Sequence, residues 1–281
     1  MQFIIDGHSV YAATGGRPHE SGKPLVVFLH GAGFDHTAWA LHSRSLAFHG
    51  WNVLALDLPG HGQSDGPPLS SIGEMARWLD AVVEVAAGVS GAGHPAAGGQ
   101  GAVLIGHSMG SLIALETAAK YPERVRGIVL IGTAAAMPVH KDLLAAAAAN
   151  EHAAIDMVNL WGFGYAAGLG GSRAPGVWMV GAGERTLERA KPGVLYADLA
   201  ACNSYQNGAA AAAATTAPAL LICGEKDQMT PLKNGRALAQ SIPGATLVAL
   251  EGAGHMLMSE RPYDVQDAIA RHLKGLGAPA G

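Results

Sequence analysis

The chain has 281 residues, of which 49% are hydrophobic and 14% are charged, and its formal net charge is −4. This length and composition allow one large α/β domain with a substantial core and argue against a disordered chain. No basic block is present, so we expect no nucleic-acid partner. The two cysteines, Cys202 and Cys223, have neither metal-ligand nor disulfide-framework spacing, so we expect buried free thiols and no metal site.

The N-terminal segment MQFIIDG has no basic start followed by an apolar stretch, and we therefore expect no secretory signal. No apolar run reaches the ~18 residues that a membrane span needs. We expect a soluble, cytoplasmic protein without a membrane partner. The sequence leaves the oligomeric state open between a monomer and a homodimer.

The first half of the chain alternates between predicted strands and predicted helices. A β-hairpin is predicted at 3–13, because Asp6-Gly7 separates two apolar stretches. Apolar runs predict buried strands at 24–29, 52–56, 102–105 and 125–131. Helices are predicted at 37–49, 72–87 and 109–120. The Gly- and Ala-rich residues 88–101 have no periodicity, and we predict a loop there.

Residues 134–217 interrupt this alternation, because they contain helical patches and two poly-Ala runs but no apolar strand of the earlier kind. Predicted strands at 219–223 and 245–250, a helix at 263–274 and a loose tail at 275–281 complete the chain. An interruption of this length is usually functional, and we interpret it as a lid.

Strands that alternate with helices predict an α/β fold with a mostly parallel central sheet and helices on both faces. We predict a core of residues 1–133 and 218–281. The helical lid at 134–217 is inserted before the penultimate core strand.

The pentapeptide Gly106-His107-Ser108-Met109-Gly110 lies between a predicted strand and a predicted helix. A serine in such a tight turn is pushed out of the sheet in a strained conformation, and the glycines avoid collisions that larger residues would cause. The N-terminus of the following helix directs unpaired N–H groups towards anything bound there. We therefore predict that Ser108 is a nucleophile.

A serine hydroxyl needs a base, and that base needs a carboxylate that fixes its tautomer. His255, in EGAGHM, follows the last predicted strand, and loops at the carboxyl ends of strands build the site of an open α/β sheet. Asp227, in GEKDQMTP, follows the preceding strand, and Glu225 is the competing acid. No acid occurs in 132–136, after the strand before that, which favours Asp227.

Attack by a serine on a carbonyl also needs hydrogen-bond donors for the oxyanion. The backbone N–H of Met109 is one candidate, and the turn HGAG after the strand at 24–29 offers the other. We nominate the Ala32 N–H, with the Gly33 N–H as the near alternative. His30 is interpreted as a residue that braces this turn through side-chain hydrogen bonds.

The segments HGAG, LDLPGHGQSD, GHSMG, GEKDQMTP and GAGHM together resemble the α/β-hydrolase superfamily in order and spacing. The chain is similar to its lid-bearing serine esterases, carbon–carbon-bond hydrolases and cofactor-free haloperoxidase-like members. The resemblance implies a catalytic triad of Ser108, Asp227 and His255 that cleaves an ester through an acyl-enzyme, without a cofactor or a metal. Related haloalkane dehalogenases and epoxide hydrolases use an aspartate nucleophile, and Ser108 argues against both.

The resemblance implies a small-molecule substrate. Candidate substrate contacts are Gly33 and Phe34 beside the oxyanion turn, and Trp161, Tyr165 and Trp178 within the lid. Few charged residues accompany the aromatic ones, so we expect a small, largely apolar ester. Packing of the lid on the core would use the same aromatic residues equally well.

The residues leave other functions open. Hydrolysis of a carbon–carbon bond in a dienoate needs a carboxylate site, often an arginine, and Arg173, Arg185 and Arg189 lie in or near the lid. Cleavage of a lactone, amide, thioester or carbamate would use the same triad. A ligand receptor that retains the triad without useful turnover is the alternative from a different functional class.

Overall fold

The computed structural model describes residues 1–20, 22–89 and 101–277, and an eight-stranded β-sheet forms its centre. The strands are β1 (Gln2–Ile5), β2 (His8–Ala13), β3 (Leu25–Leu29), β4 (Asn52–Leu56), β5 (Ala102–His107), β6 (Val125–Ile131), β7 (Ala219–Gly224) and β8 (Thr246–Leu250). Their order across the sheet is β1-β2-β4-β3-β5-β6-β7-β8. The first two strands pair in an antiparallel way, and the six from β4 to β8 in that order are parallel.

Helices connect the parallel strands, and further helices follow the last strand. They are α1 (Ala40–Phe48), α2 (Ile72–Val89), α3 (Met109–Lys120), α4 (Lys141–Ala148), α5 (His152–Gly162), α6 (Tyr165–Gly168), α7 (Met179–Glu188), α8 (Val194–Ser204), α9 (Gly208–Ala214), α10 (Leu232–Ser241), α11 (Leu257–Glu260) and α12 (Pro262–Gly275). Short 3-10 helices lie at His36–Trp39 and Pro122–Arg124. Within the described ranges, every helix is too short or too polar to cross a membrane.

Both faces of the parallel sheet are covered, which explains why its strands are continuously apolar. In β3, Val27 and Leu29 join a core cluster that includes residues of α2, α3 and α10. Val26 and Phe28 point to the opposite face and join a cluster that includes residues of α1 and α12. The predicted fold class, a mostly parallel sheet with helices on both faces, is confirmed.

The N-terminal hairpin also forms as predicted. Asp6 and Gly7 connect β1 to β2 with φ angles of 50° and 79°, and Ile5 pairs with His8. A two-residue hairpin turn of this kind requires positive φ at both positions, which glycine adopts freely and aspartate tolerates. The sequence Asp-Gly therefore determines the register of the hairpin.

The chain between β6 and β7 is helical. It contains α4 to α9, and no strand occurs among residues 132–218. The two poly-Ala runs fall in α4 and α9. We call residues 134–217 the helical segment. Its apolar cluster, which includes Leu143, Val158 and Leu199, also contains Met256 from the core, so the segment packs directly beside His255.

Three local predictions have different outcomes. The single helix predicted at 37–49 is instead a 3-10 helix followed by α1, with Asp35 accepting a hydrogen bond from the Thr37 N–H at 2.9 Å ahead of the first turn. In the predicted loop at 88–101, residues 88 and 89 still belong to α2, and 90–100 lie outside the described residues. In the predicted tail, Gly275 still belongs to α12, and 278–281 lie outside the described residues.

Candidate active site

Ser108 occupies a strained turn between β5 and α3. Its φ and ψ angles are 52° and −119°, in a region that residues other than glycine rarely adopt. The Ser108 N–H donates to the Ile131 carbonyl at 2.9 Å, which anchors the turn to β6. A Cβ at Gly106 would overlap the carbonyl of Gly110, and one at Gly110 would overlap the carbonyl of Leu29. The two glycines are therefore a steric requirement of the turn.

We expect Gly110→Ala to lower the free energy of unfolding by roughly 1–3 kcal/mol, because the new methyl group meets the backbone of a buried strand that has no room to move. Gly168→Ala is the matched control, since no atom lies within 4 Å of a Cβ there. We expect that change to be neutral or to stabilise by up to about 1 kcal/mol. Denaturant unfolding measures both effects, and equal values for the two variants would contradict this description of the turn.

The structure brings Asp227 and His255 together. Asp227 follows β7 and His255 follows β8, and the Asp227 Oδ2 atom lies 2.8 Å from His255 Nδ1. The carboxylate also accepts hydrogen bonds from the N–H groups of Met229 and Thr230 at 2.8 Å and from the Thr230 hydroxyl at 2.7 Å. Burial alone would raise the pKa of Asp227, but His255 and the Thr230 hydrogen bonds outweigh burial and hold that pKa below its ordinary value. The carboxylate is thus held in its ionised form beside the imidazole.

In the part of the chain that the structure describes, one ring nitrogen of His255 is left without a hydrogen-bond partner. Nδ1 is bound to Asp227, whereas Nε2 is buried and has no hydrogen-bond partner among the described residues. Ser108 and His255 both line a cavity of about 300 Å³. An imidazole whose Nδ1–H is held by a carboxylate presents Nε2 as the basic atom. The arrangement can therefore take a proton from a group in the cavity.

The candidate oxyanion donors differ in how they are used. The N–H groups of Ala32 and Met109 have no hydrogen-bond partner among the described residues, and Met109 is the first residue of α3. Ala32 lines the cavity, whereas the Met109 side chain is fully buried. The N–H of Gly33, the alternative donor, is already bound to the Asp198 carboxylate at 2.8 Å. The geometry thus favours Ala32 over Gly33.

The remaining predicted substrate contacts lie in three different places in the structure. Phe34 and Trp161 line the 300 Å³ cavity. Gly33 lines a neighbouring cavity of about 340 Å³, on the other side of Phe34. Tyr165 and Trp178 line neither cavity, and their exposed fractions are 86% and 70%. In this conformation neither residue lines the cavity that Ser108 lines, and the contacts of Tyr165 and Trp178 with substrate stay predictions.

The sequence comparison identifies the family. A model of the alpha/beta hydrolase fold matches residues 24–262, which is most of the chain. The chain belongs to the alpha/beta hydrolase fold family. Among its relatives, the pimeloyl-[acyl-carrier protein] methyl ester esterase of Chromobacterium violaceum is 31% identical over 266 residues, which are 89% of this chain and 94% of the relative.

Solved structures agree with this family. The enol-lactonase from Burkholderia xenovorans LB400 superposes with a TM-score of 0.83 at 23% identity, covering 98% of this chain and 100% of the other. A thermophilic esterase superposes with a TM-score of 0.76 at 25% identity, covering 99% of this chain and 98% of the other. Because its sequence identity is only 23%, the similarity to the enol-lactonase concerns the fold alone.

Two histidines next to the site of this α/β hydrolase are neutral. His107 precedes Ser108, and its Nε2 donates to the His255 carbonyl at 2.9 Å; burial, reinforced by His255, lowers its pKa to about 3. His30 donates from Nδ1 to the Gly31 carbonyl at 2.9 Å and accepts at Nε2 from the Leu58 N–H at 3.2 Å. Burial, with His61 nearby, lowers the pKa of His30 to about 4. Both rings hold backbone groups in place through hydrogen bonds. This role was predicted from the sequence for His30 and missed for His107.

Sequence reasoning also missed the contacts that hold the His255 loop. The Gly162 carbonyl accepts hydrogen bonds from the N–H groups of His255 at 2.7 Å and Met256 at 3.1 Å. Glu260 accepts from the N–H groups of Gly164 at 3.1 Å and Gly254 at 3.0 Å. The bonds of Gly162 to His255 and Met256 and that of Gly164 to Glu260 join residues far apart in the chain, so no local sequence signal marks them. They connect the helical segment to the loop that carries His255.

Among the residues that the structure describes, two groups of side chains have metal-ligand character. They are Asp35, His36 and Asp57, and His152, Glu184 and Glu188, with ligand atoms within 4.8 Å of one another in each group. In the first group, Asp57 Oδ1 accepts from the N–H and Nδ1–H of His36, and its Oδ2 accepts from the Gln63 N–H at 2.8 Å. These bonds join the loop after β4 to the 3-10 helix. The second group lies on the surface of the helical segment.

Proposed function

We propose that this α/β hydrolase cleaves small, largely apolar carboxylic esters through an acyl-enzyme formed on Ser108. The observation that carries the proposal is the Asp227–His255 pair at 2.8 Å, with the free Nε2 of His255 and the strained Ser108 turn beside one cavity. The similarity to a methyl ester esterase, at 31% identity, supports an ester as the substrate.

The proposed reaction uses only side chains and backbone N–H groups of this chain. His255 Nε2 takes the hydroxyl proton of Ser108 as its Oγ attacks the ester carbonyl, and the N–H groups of Ala32 and Met109 bind the oxyanion. His255 then donates the proton to the departing alkoxide, and the acyl group stays on Ser108. Water, deprotonated by His255, attacks this acyl-enzyme and releases the acid and the free hydroxyl.

The lining of the cavity supports an apolar substrate of modest size. Most lining side chains away from the reacting atoms are apolar, among them Phe34, Leu143, Val158, Trp161 and Leu199. The volume of about 300 Å³ is at the lower limit for small-molecule sites, which range over roughly 300–1,000 Å³. A short acyl chain and a small alcohol match this space better than a long-chain lipid does.

We further propose that the helical segment serves as the lid of this site. A large share of the cavity lining comes from it: Met137, Pro138, Val139, His140, Leu143, Val158, Trp161, Leu199 and Cys202. The strands and their loops supply the reacting groups, whereas the helical segment supplies most of the apolar wall. A lid of this kind excludes water and strengthens the electrostatic interactions at the reacting atoms.

Hydrolysis of a dienoate carbon–carbon bond is less well supported. Arg173 pairs with Asp264, Arg185 with Glu184 and Glu188, and Arg189 with Asp35. None of the three lines the cavity that contains Ser108, within the part of the chain that the structure describes. A carboxylate on the substrate would therefore find no arginine beside the reacting groups.

A series of p-nitrophenyl esters tests the proposal. We expect kcat/KM to be highest for acetate to butyrate and to fall at least about tenfold for chains as long as palmitate. The reason is that methylene groups of the acyl chain that do not fit in the cavity gain no binding energy from it. A strong preference for charged or very long acyl groups would contradict the proposed substrate class. Titration with a fluorophosphonate probe counts the reactive serines and so tests the receptor alternative. If each titrated site reacts with one ester molecule and does not turn over, the enzymatic function is overturned.

A further inference from the structure

The buried carboxylate of Asp198 connects the helical segment to the oxyanion turn. Asp198 belongs to α8, is completely buried, and its Oδ2 atom accepts hydrogen bonds from the Gly33 N–H and from His61 Nε2, each at 2.8 Å. Gly33 itself, with φ of 72°, packs against Leu187 and Leu195 of the helical segment. This contact is separate from the Asp227–His255 pair and plays no part in the reaction steps above.

We infer that Asp198 is a positioning residue that fixes the orientation of the Ala32 N–H in the oxyanion hole. The inference rests on the proposed function, because it assigns a role in the same proposed site. It makes the helical segment a part of the catalytic apparatus rather than only a cover for it.

The Ala32 N–H belongs to the Gly31–Ala32 peptide, and the backbone torsions of Ala32 couple this peptide to the Ala32–Gly33 peptide that follows. The plane between Gly31 and Ala32 is held at its carbonyl, which accepts from His30 Nδ1 at 2.9 Å and from the Phe34 N–H at 3.2 Å. Since a trans peptide places N–H and C=O on opposite sides, these two bonds orient the Ala32 N–H as long as the turn keeps its backbone torsions. The next plane, between Ala32 and Gly33, is held by Asp198. The core thus holds one side of Ala32, and the helical segment holds the other.

The charge on Asp198 is balanced locally by His61. The Nε2 atom of His61 faces the carboxylate, and its Nδ1 faces the Pro59 carbonyl at 3.0 Å. Both neighbours are acceptors, so the ring carries a proton on each nitrogen and is a cation. Burial opposes this charge, but Asp198 outweighs burial and raises the pKa of His61. The hydrogen bonds from Gly33 and His61 hold the Oδ2 atom of Asp198, whereas Oδ1 is buried and has no hydrogen-bond partner among the described residues.

Removal of the Asp198 carboxylate should therefore impair the chemical step more than substrate binding. Without it, the Gly33 N–H is left unpaired in a buried position, and the Ala32–Gly33 peptide is free to rotate. Small misplacements of groups that stabilise a transition state cost up to about 100-fold in rate. The apolar cavity wall, which binds the substrate in the ground state, contains no atom of Asp198.

The test compares Asp198→Ala, Asp198→Asn and Glu116→Ala with the wild-type enzyme on p-nitrophenyl acetate. Glu116 is the matched control, because it is also buried and also joins the core to the helical segment, through Tyr205 and Asn207. We expect Asp198→Ala to lower kcat about 10- to 100-fold per titrated active site, with KM changed far less. Asp198→Asn should recover most of kcat, because its amide oxygen still accepts from the Gly33 N–H. Glu116→Ala should lower the melting temperature without lowering kcat.

A second measurement separates this inference from the proposed function. Hydrogen exchange of the 31–35 backbone amides should speed up in Asp198→Ala and not in Glu116→Ala. Equal exchange rates in the two variants, an unchanged kcat in Asp198→Ala, or no recovery in Asp198→Asn would overturn the role of Asp198. If the wild-type protein hydrolyses no ester, the proposed function fails instead, and the exchange comparison still decides whether Asp198 positions the turn.

Discussion

Ser108→Ala should abolish ester hydrolysis, with kcat lower by about 10⁴- to 10⁶-fold, and should leave the protein folded. The hydroxyl is the proposed nucleophile. Its removal leaves the turn, the cavity and the Asp227–His255 pair in place. Steady-state kinetics with p-nitrophenyl acetate measures the loss, and circular dichroism with thermal unfolding verifies the fold.

Ser108→Gly is the matched control for the strain in this turn. Serine adopts a φ of 52° here, which costs about 1–3 kcal/mol, whereas glycine adopts positive φ without a Cβ. We expect Ser108→Gly to be inactive and more stable than the wild type, because activity requires the strained residue. Near-normal turnover by either variant would refute Ser108 as the nucleophile.

Asp227→Asn should lower kcat by about 10⁴-fold at neutral pH. In the wild type, one carboxylate oxygen accepts from the N–H groups of Met229 and Thr230, and the other faces His255 Nδ1. The asparagine oxygen will face the two N–H groups, which leaves its NH₂ group pointing at Nδ1. The imidazole must then accept at Nδ1 and carry its proton on Nε2, so that it no longer takes a proton from Ser108.

Glu225→Gln is the matched control for this variant. Glu225 is the competing acid two residues earlier, and its side chain is exposed at the start of the same loop. We expect its kcat to equal that of the wild type, since the pair that the structure forms is Asp227 with His255. A large loss in Glu225→Gln together with a small loss in Asp227→Asn would reverse the assignment of the acid.

The sheet was predictable from the sequence because its signals are local. Asp6-Gly7 dictates a hairpin turn, and continuously apolar runs dictate strands that are buried on both faces. The turn at Ser108 is local in the same way, since the overlaps that exclude larger residues at Gly106 involve Gly110 in the same pentapeptide. Such features need no knowledge of distant parts of the chain.

The interactions that position the site were not predictable, because they join residues far apart in sequence. Asp198 and Gly33 are separated by 165 positions, and nothing near either residue indicates the other. The sequence also did not indicate which aromatic residues of the helical segment line the cavity. Trp161 lines the cavity and Trp178 is exposed, although both occur in similar apolar surroundings, because the packing of short helices decides which side chains point inward.

The helical segment therefore contacts both of the loops on which the proposed chemistry depends. It holds the oxyanion turn through Asp198, and it holds the His255 loop through the Gly162 carbonyl and through the Gly164 N–H, which donates to Glu260. Sequence changes in this segment should alter both the shape of the cavity and the alignment of the reacting groups.

Mass spectrometry of a trapped acyl-enzyme is the direct test of whether Ser108 is the nucleophile. The protein is mixed with p-nitrophenyl acetate, quenched in acid and digested with trypsin, which releases residues 78–120 as one peptide containing three serines, Ser90, Ser108 and Ser111. We expect an acetyl group on Ser108, assigned by fragment ions, and none in Ser108→Ala. Two results would contradict Ser108 as the nucleophile. One is acetylation of another residue during turnover. The other is turnover without an acetyl group on Ser108 in both the wild type and Asp227→Asn.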